Sequence, residues 1–267
     1  MSVELVIIDD SGHAGFGVTA GKRTPDGSMY EWEFNDAVRK VFEKEITKFK
    51  NVITYCVSDP TGKWDVPLET RTNRANAIYR KYKSKVDAGK AVVIYISWHA
   101  NAFGSSWNSA NGIETFILRR GLPIAEELAE KVQASIVKET DRRNRGVKLS
   151  AFWVLKHTIM PAILIECGFM TNKEEAVLLK SEGYRNKVAL ATVKALVNMF
   201  HLKPKEGASV AQRKEDLSKV WGAASIKKVI DQGIIPGYTD GTWRPNEPIK
   251  RAEMAVILDR LGLLNRK

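Results

Sequence analysis

The chain has 267 residues, 44% hydrophobic and 27% charged, a balance that excludes a disordered chain and allows a sizeable core in one large domain or a large and a small one. Its 42 lysines and arginines against 31 acidic residues give a net charge of +11, which favours a polyanionic partner (nucleic acid, an anionic membrane surface or a wall polymer) without choosing among them. No window reaches the ~18 consecutive apolar residues of a membrane span. The start, "MSVELVIIDDSGHAG", has no basic leader and too short an apolar run for a signal peptide, so the expectation is a chain without one, held in the cytoplasm until another system moves it. Cys56 and Cys167 lie in apolar segments without a CxxC partner and read as free, buried thiols.

In chain order, "VELVIID" is a short apolar run suited to a strand buried on both faces. "EWEFNDAVRKVFEKEITKFK" spaces Phe34, Val38, Val41, Phe42, Ile46 and Phe49 as a helix does. "NVITYCV" predicts a second strand, "ETRTNRANAIYRKYKSK" a second helix with a basic outer face, and "AVVIYIS" a third strand. "GIETFIL" predicts a strand that alternates less clearly, "PIAEELAEKVQASIVKET" a helix, "FWVL" a short strand, and "PAILIE" another buried strand. "NKEEAVLLKSEGYRNKVALATVKALVNMF" predicts two helices with a break near Gly183. Strands alternating with helices imply an α/β fold, a mostly parallel sheet with helices on both faces. The pattern ends near Phe200, giving a large α/β domain over 1–200, a linker over 201–213 rich in Lys, Pro, Gly and Ser, and a small helical domain over 214–267.

Three strand ends and one helix start carry the chemistry. His13 follows the first strand, His99 the third, and Glu166 ends "PAILIE", while Glu31 opens the first amphipathic helix. In open parallel sheets the carboxyl edge is where ligands bind. Glu31 stands about a turn before Phe34 and can point toward that crevice, whereas Glu33 points away. Two histidines and one carboxylate are a common ligand set for a catalytic zinc that keeps a position for water. An unligated carboxylate nearby can then carry the proton, and Glu166 fits that part. Each residue alone has a plainer reading: His13 in a turn, His99 satisfied in the core, Glu31 favoured by the helix dipole. Their convergence is what argues for a site. There is no HExxH, so a zincin-type protease is not supported. His157, after "FWVLK", is a structural or substrate-contact candidate, and Asn101 is expected to fix the loop after His99 or touch substrate.

"DDSGHAG", "YEWEFN", "LETRTNRAN", "YISWHANA", "GIETF", "RNRGVK" and "FWVLKHTIMPAILIECGFMTN" occur in that order over residues 1 to 200. In this they resemble the zinc-dependent N-acetylmuramoyl-L-alanine amidases of the amidase-3 family. The resemblance implies one zinc ion held by His13, Glu31 and His99, with Glu166 as the catalytic glutamate. It also carries the helix motif of that family onto Leu68, Arg71 and Asn76, of which Arg71 is a substrate-contact candidate. Ser11, Ala14 and Trp98 depart from the family's usual residues without removing a ligand. The implied reaction is hydrolysis of the amide between N-acetylmuramic acid and L-alanine in peptidoglycan. The alternatives are a bacterial autolysin, a zinc peptidase acting on stem peptides, and a wall-binding protein that has lost activity.

The tail resembles one S-layer homology repeat, carried by Trp221, Ile226, Gly237, Tyr238, Asp240, Pro245, Asn246, Arg251 and Glu253, with Lys250 where threonine is usual. The resemblance implies an anchor for anionic secondary wall polysaccharide, with Trp221, Asp240, Arg251 and Glu253 as wall-contact candidates. Such repeats usually come three in tandem, so a single copy implies either weak single-site binding or self-association into a homo-oligomer that regains avidity. No RNP, helix-turn-helix or zinc-finger pattern supports nucleic acid as the partner, and no membrane insertion is expected. The whole suits a phage endolysin released by a holin to reach the wall.

Overall fold

The computed structural model describes residues 3–15, 17–205, 222–231, 248–249, 251–261 and 263. The chain divides into two units, Met1–Lys205 and Glu206–Lys267.

The first unit is built on β1 (Glu4–Ser11), α1 (Glu31–Ile46), β2 (Val52–Cys56), α2 (Leu68–Asp87), β3 (Ala91–Asn101) and β4 (Ile113–Ile117). It continues with α3 (Pro123–Thr140), β5 (Asn144–Leu149), α4 (Trp153–His157), β6 (Ala162–Phe169), α5 (Lys173–Lys180) and α6 (Glu182–Phe200). The sheet order is β2-β1-β3-β6-β4-β5. Neighbours run parallel except β4 against β6. From β1 the chain moves outward to β2, then crosses back to β3 on the other side. The carboxyl ends of β1 and β3 therefore flank the point where the winding reverses, and the connections there splay apart.

The central strands are apolar on both faces because both are covered. On one side α1 and α3 pack on the sheet and α6 packs against both, with Phe34, Val38, Phe42 and Ile46 of α1 fully buried. On the other, α2 and α4 close a core of Val6, Ile8, Ala75, Tyr95, Leu164, Val154 and Leu155. Both cysteines are free, Cys167 buried and Cys56 only partly so.

Five features differ from the sequence expectations. Residues "FWVL" lie not in a strand but at the start of α4, since an apolar quartet has no period and its packing against α2 decides the matter. An additional strand, β5, covers the edge; its charged, glycine-containing sequence is typical of an edge strand and hides it from an apolar-run reading. His99 and Glu166 sit inside β3 and β6 rather than beyond them, paired with each other in register. The break between the last two helices falls at Ser181, whose side chain caps α6 at the Tyr184 amide. Residues 201–205 also belong to the first unit, because Lys203 and Lys205 exchange backbone hydrogen bonds with Lys50 and Lys48.

Of the second unit, the described residues form α7 (Ala223–Asp231) and α8 (Arg251–Arg260), with Ile226 buried. No described helix is long and apolar enough to cross a membrane.

Candidate metal centre and catalytic cleft

Glu31 is the first residue of α1. The neighbouring Glu33 turns back to accept the Tyr30 amide at 2.6 Å, closing a capping box, which leaves Glu31 as the carboxylate that enters the crevice. It is buried to 3% exposure, and its two oxygens face two imidazoles. His99 Nδ1 lies 2.8 Å from Oε1, and His13 Nε2 lies 3.3 Å from Oε2. The rings stand edge-on, with centroids 5.1 Å apart and planes at 86°. One donor atom from each of the three residues falls within 4.8 Å of the others.

The turn that delivers His13 is unusual. His13 has φ of 67°, a left-handed conformation that a residue with a β-carbon occupies at a cost of about 1–2 kcal/mol. Arg71 holds it there. Its guanidinium donates to the carbonyls of Val66, Ser11 and His13 and to the carboxylates of Asp10 and Asp65, which uses all five of its N–H groups. Arg71 is 1% exposed, so its donors secure the turn and are spent before any substrate arrives. Asp10 is equally buried and also accepts from Tyr95 and Ser97. Burial opposes its charge, yet Arg71 and these hydrogen bonds keep its carboxyl below the usual range.

Gly12 lets this turn approach His99. A β-carbon there would lie 2.1 Å from His99 Cε1. Its carbonyl accepts from Asn35 at 3.0 Å.

The electrostatics follow from packing charge into one pocket. Burial pushes His13 down to about 4, against the pull of Glu31. His99 is raised instead: burial opposes its charge most, but the hydrogen bond to Glu31 and the carboxylates of Glu31, Glu166 and Asp10 together overcome it. Burial opposes ionisation of Glu31 too, but the two histidines hold it down at about 2. Glu166 faces the same cleft from β6. Burial raises it to about 8, reinforced by the carboxylates of Glu31 and Glu114 and opposed by His99. Its Oε2 is sealed from solvent with no hydrogen-bond partner among the described residues. An orphaned buried carboxylate oxygen is expensive; a cation beside it, or a water held for reaction, removes the penalty.

The cleft has a volume of about 520 Å³. Lys22 and Asp65 stand on its polar side, and Pro67, Leu68, Phe152 and Trp153 form an apolar wall. Trp153 reaches the cleft, while His157 is exposed and stacks on Trp153 with centroids 3.9 Å apart. Asn76 accepts the Ile159 amide and donates to the His157 carbonyl, pinning the segment after α4. Asn101 donates to Glu114 at 2.7 Å and accepts the Ala102 amide at 2.8 Å, so its amide fixes the end of β3. Arg251 opens α8 exposed and Glu253 is partly buried; Trp221 and Asp240 lie outside the described residues.

Sequence reasoning did not find Asp10, Gly12, Lys22, Glu114, Phe152 or Trp153 as site residues. The "DDSGHAG", "GIETF" and "FWVLK" segments held a signal, but nothing in it marked these particular side chains.

Fold and cleft together define an α/β protein with a candidate metal centre at the carboxyl edge of its sheet. Comparison settles which family: the chain belongs to the N-acetylmuramoyl-L-alanine amidases of the amidase-3 family, whose sequence model matches residues 6–198. The S-layer homology domain model matches residues 215–255. The chain is 27% identical over 186 residues to the endolysin of Bacillus phage SPP1, covering 68% of this chain and 67% of that one. It is 34% identical over 131 residues to N-acetylmuramoyl-L-alanine amidase LytC of Bacillus subtilis, covering 48% of this chain and 26% of that one. Among solved structures, the N-acetylmuramoyl-L-alanine amidase of Clostridium difficile 630 matches with a TM-score of 0.63 at 29% identity, over 75% of this chain and 98% of that one. The likeness to that structure covers the catalytic unit nearly end to end, whereas the chain spans about a quarter of the length of LytC.

Proposed function

We propose that the first unit hydrolyses the amide joining N-acetylmuramic acid to L-alanine in peptidoglycan, with one zinc ion held by His13, Glu31 and His99 and with Glu166 as the proton carrier. The observation that carries this reading is the meeting of His13, Glu31 and His99 within 4.8 Å, in the cleft that Glu166 also faces. The donor set suits zinc: two imidazoles and a carboxylate, with a cavity beside them that leaves a position open. When bound, zinc supplies Lewis acidity, polarising an amide carbonyl and making hydroxide available near neutral pH.

The chain's own residues do the rest. Arg71 and Gly12 hold His13 and His99 in one fixed approach. Pro67, Leu68, Phe152 and Trp153 supply an apolar surface that orients the substrate and excludes water from one side of the scissile bond. Glu166, which lines the cleft, takes the proton of the attacking water and returns it to the departing amine of L-alanine. Glu166→Gln keeps shape and removes the base. This variant should retain zinc and lose about 10²–10⁴-fold in turnover; near-normal turnover would reassign the base.

The tail is proposed as a wall anchor that binds anionic secondary wall polysaccharide, supported by the S-layer homology match; the whole chain's net charge of +11 favours the same anionic surface. Self-association through the tail is proposed as the source of its avidity. The similarity to the SPP1 endolysin supports a lytic part in phage release, in which the chain stays in the host cytoplasm until a holin opens its way to the wall.

A further inference from the structure

We infer that Arg145 and Lys148 form a carboxylate-binding subsite for the peptide arm of the substrate, one strand beyond Glu166. The inference rests on the amidase reading for the identity of that arm.

The floor of the cleft does not stop at β6. Leu164 and Glu166 line the cleft, and across the antiparallel ladder they stand opposite Phe116 and Glu114 of β4. Phe116 in turn stands opposite Lys148 of β5. Residues directly opposite one another show their side chains on the same face of a sheet. The face that carries the chemistry therefore continues to the β5 edge, where Phe116 packs edge-on against Phe152 of the cleft wall at 5.0 Å.

At that edge the strand is built irregularly, and the irregularity has an effect. Arg145 and Lys148 are three positions apart, so an unbroken strand would send them to opposite faces. The β4–β5 register slips between Ile113 and Thr115, and Gly146 within the slip has φ of +79°, a conformation glycine adopts without strain. Bulges of this kind re-aim side chains. Here both cations end on the same atom: Arg145 Nε donates to Glu114 Oε2 at 2.6 Å, and Lys148 Nζ donates to it as well. The other oxygen of Glu114 is taken by Asn101.

The charge count leaves a surplus. Two buried carboxylates, Glu114 and Glu175, face three cations, Arg142, Arg145 and Lys148, and the side chains of Arg145 and Lys148 are 26% and 38% exposed. Among the described residues Lys148 has no second hydrogen-bond partner. Arg145 has only a long contact of 3.4 Å to the Asn111 carbonyl, and its guanidinium lies over the Phe169 ring at 4.9 Å. Glu114 thus acts as the buried anchor of a cationic pair that still has donors and one net positive charge to offer, the chemistry that recognises a carboxylate.

The distance suits the substrate. Strands lie about 4.8 Å apart, so β5 is about 10 Å from the strand bearing Glu166. An extended peptide advances about 3.5 Å per residue, which brings a carboxylate two to three residues past the scissile amide over the pair. In the stem peptide, L-alanine is followed by a γ-linked D-glutamate whose α-carboxyl is either free or amidated. The subsite would read that difference.

The test compares N-acetylmuramoyl-L-alanyl-D-glutamate blocked as its γ-methylamide, α-carboxyl free, with the same compound amidated at the α-carboxyl, using the full chain loaded with zinc. Wild type should prefer the acid by about tenfold in kcat/KM, carried in KM, the usual scale of one charge-assisted hydrogen bond. Lys148→Gln leaves Arg145 on Glu114 and should bring the ratio close to one, and Lys148→Arg should restore it. No acid preference in wild type, or a preference that survives Lys148→Gln in a protein with unchanged circular dichroism, would overturn the subsite. Calorimetry with L-alanyl-D-glutamate γ-methylamide and its α-amidated form reads the pair without catalysis. Acid-selective binding lost in Lys148→Gln, with neither muramoyl peptide hydrolysed, would keep the subsite and reject the amidase reading. Hydrolysis of both without selectivity would do the reverse.

Discussion

A β-carbon on Gly12 would lie 2.1 Å from Cε1 of His99. Glycine at the end of β1 is therefore what allows one strand's turn and the next strand's imidazole to share the same space, and the φ of Gly12 has no part in it. Gly12→Ala must displace His99 or the turn that carries His13. It should weaken zinc binding by about 10–100-fold, the usual effect of disturbing a ligand's support, while the thermal transition remains. Competition against a chromogenic chelator measures it; an unchanged affinity would show that the His99 ring is not a ligand.

Arg71 was expected to touch substrate, and the structure gives its donors to the protein instead. Arg71→Met would leave Asp10 buried and unpaired, so we expect a loss of about 3–5 kcal/mol in chemical denaturation of the first unit. It should also bring a loss of activity, as His13 leaves its left-handed turn. A stable variant with raised KM alone would return Arg71 to the substrate.

The same pair sets a pH dependence. The carboxyl of Asp10 is held below its ordinary value, with Arg71 overcoming burial. A carboxyl depressed on folding stabilises the native state above its unfolded pKa, and that stability is lost as pH falls through the folded value. The first unit should therefore lose stability on acidification below the ordinary aspartate range near 3.9, and alkaline shifts from neutrality should leave this contribution intact. In Asp10→Asn the acid-dependent part of the denaturation midpoint should shrink; an unchanged slope against pH would assign the acid sensitivity elsewhere.

How far the sequence reached is clear from particular residues. His13, Glu31, His99 and Glu166 were legible because strands of unbroken apolar character announce themselves, and a parallel sheet gathers their carboxyl ends. Glu31 could be told from Glu33 by helix phase alone. What the sequence concealed depends on packing between distant segments. The φ of His13 is secured by an arginine 58 positions away, and Trp153 reaches the cleft because "FWVL" coils against α2 instead of extending. The pairing of Glu114 with Glu166 needed the one antiparallel step in the sheet, and β5 was hidden by the charges that protect an edge. A periodicity argument sees none of these, since each is decided by the partner across the ladder.

Loss of the tail separates anchoring from chemistry. Removing residues 206–267, beyond the first unit's closure at Lys205, should leave zinc affinity and turnover on soluble muramoyl peptides unchanged. Retention on isolated Gram-positive walls should fall by about tenfold or more, the scale of a lost second attachment. Equal retention with and without the tail would assign wall binding to the catalytic unit alone.

The most direct test of the central claim is the identity of the new amino termini released from purified Gram-positive walls, with and without a chelator. Release of L-alanine termini that stops when zinc is removed and resumes on its return is the expected result. Cleavage that survives metal removal, or termini from elsewhere in the stem peptide, would contradict the proposed roles of His13, Glu31, His99 and Glu166.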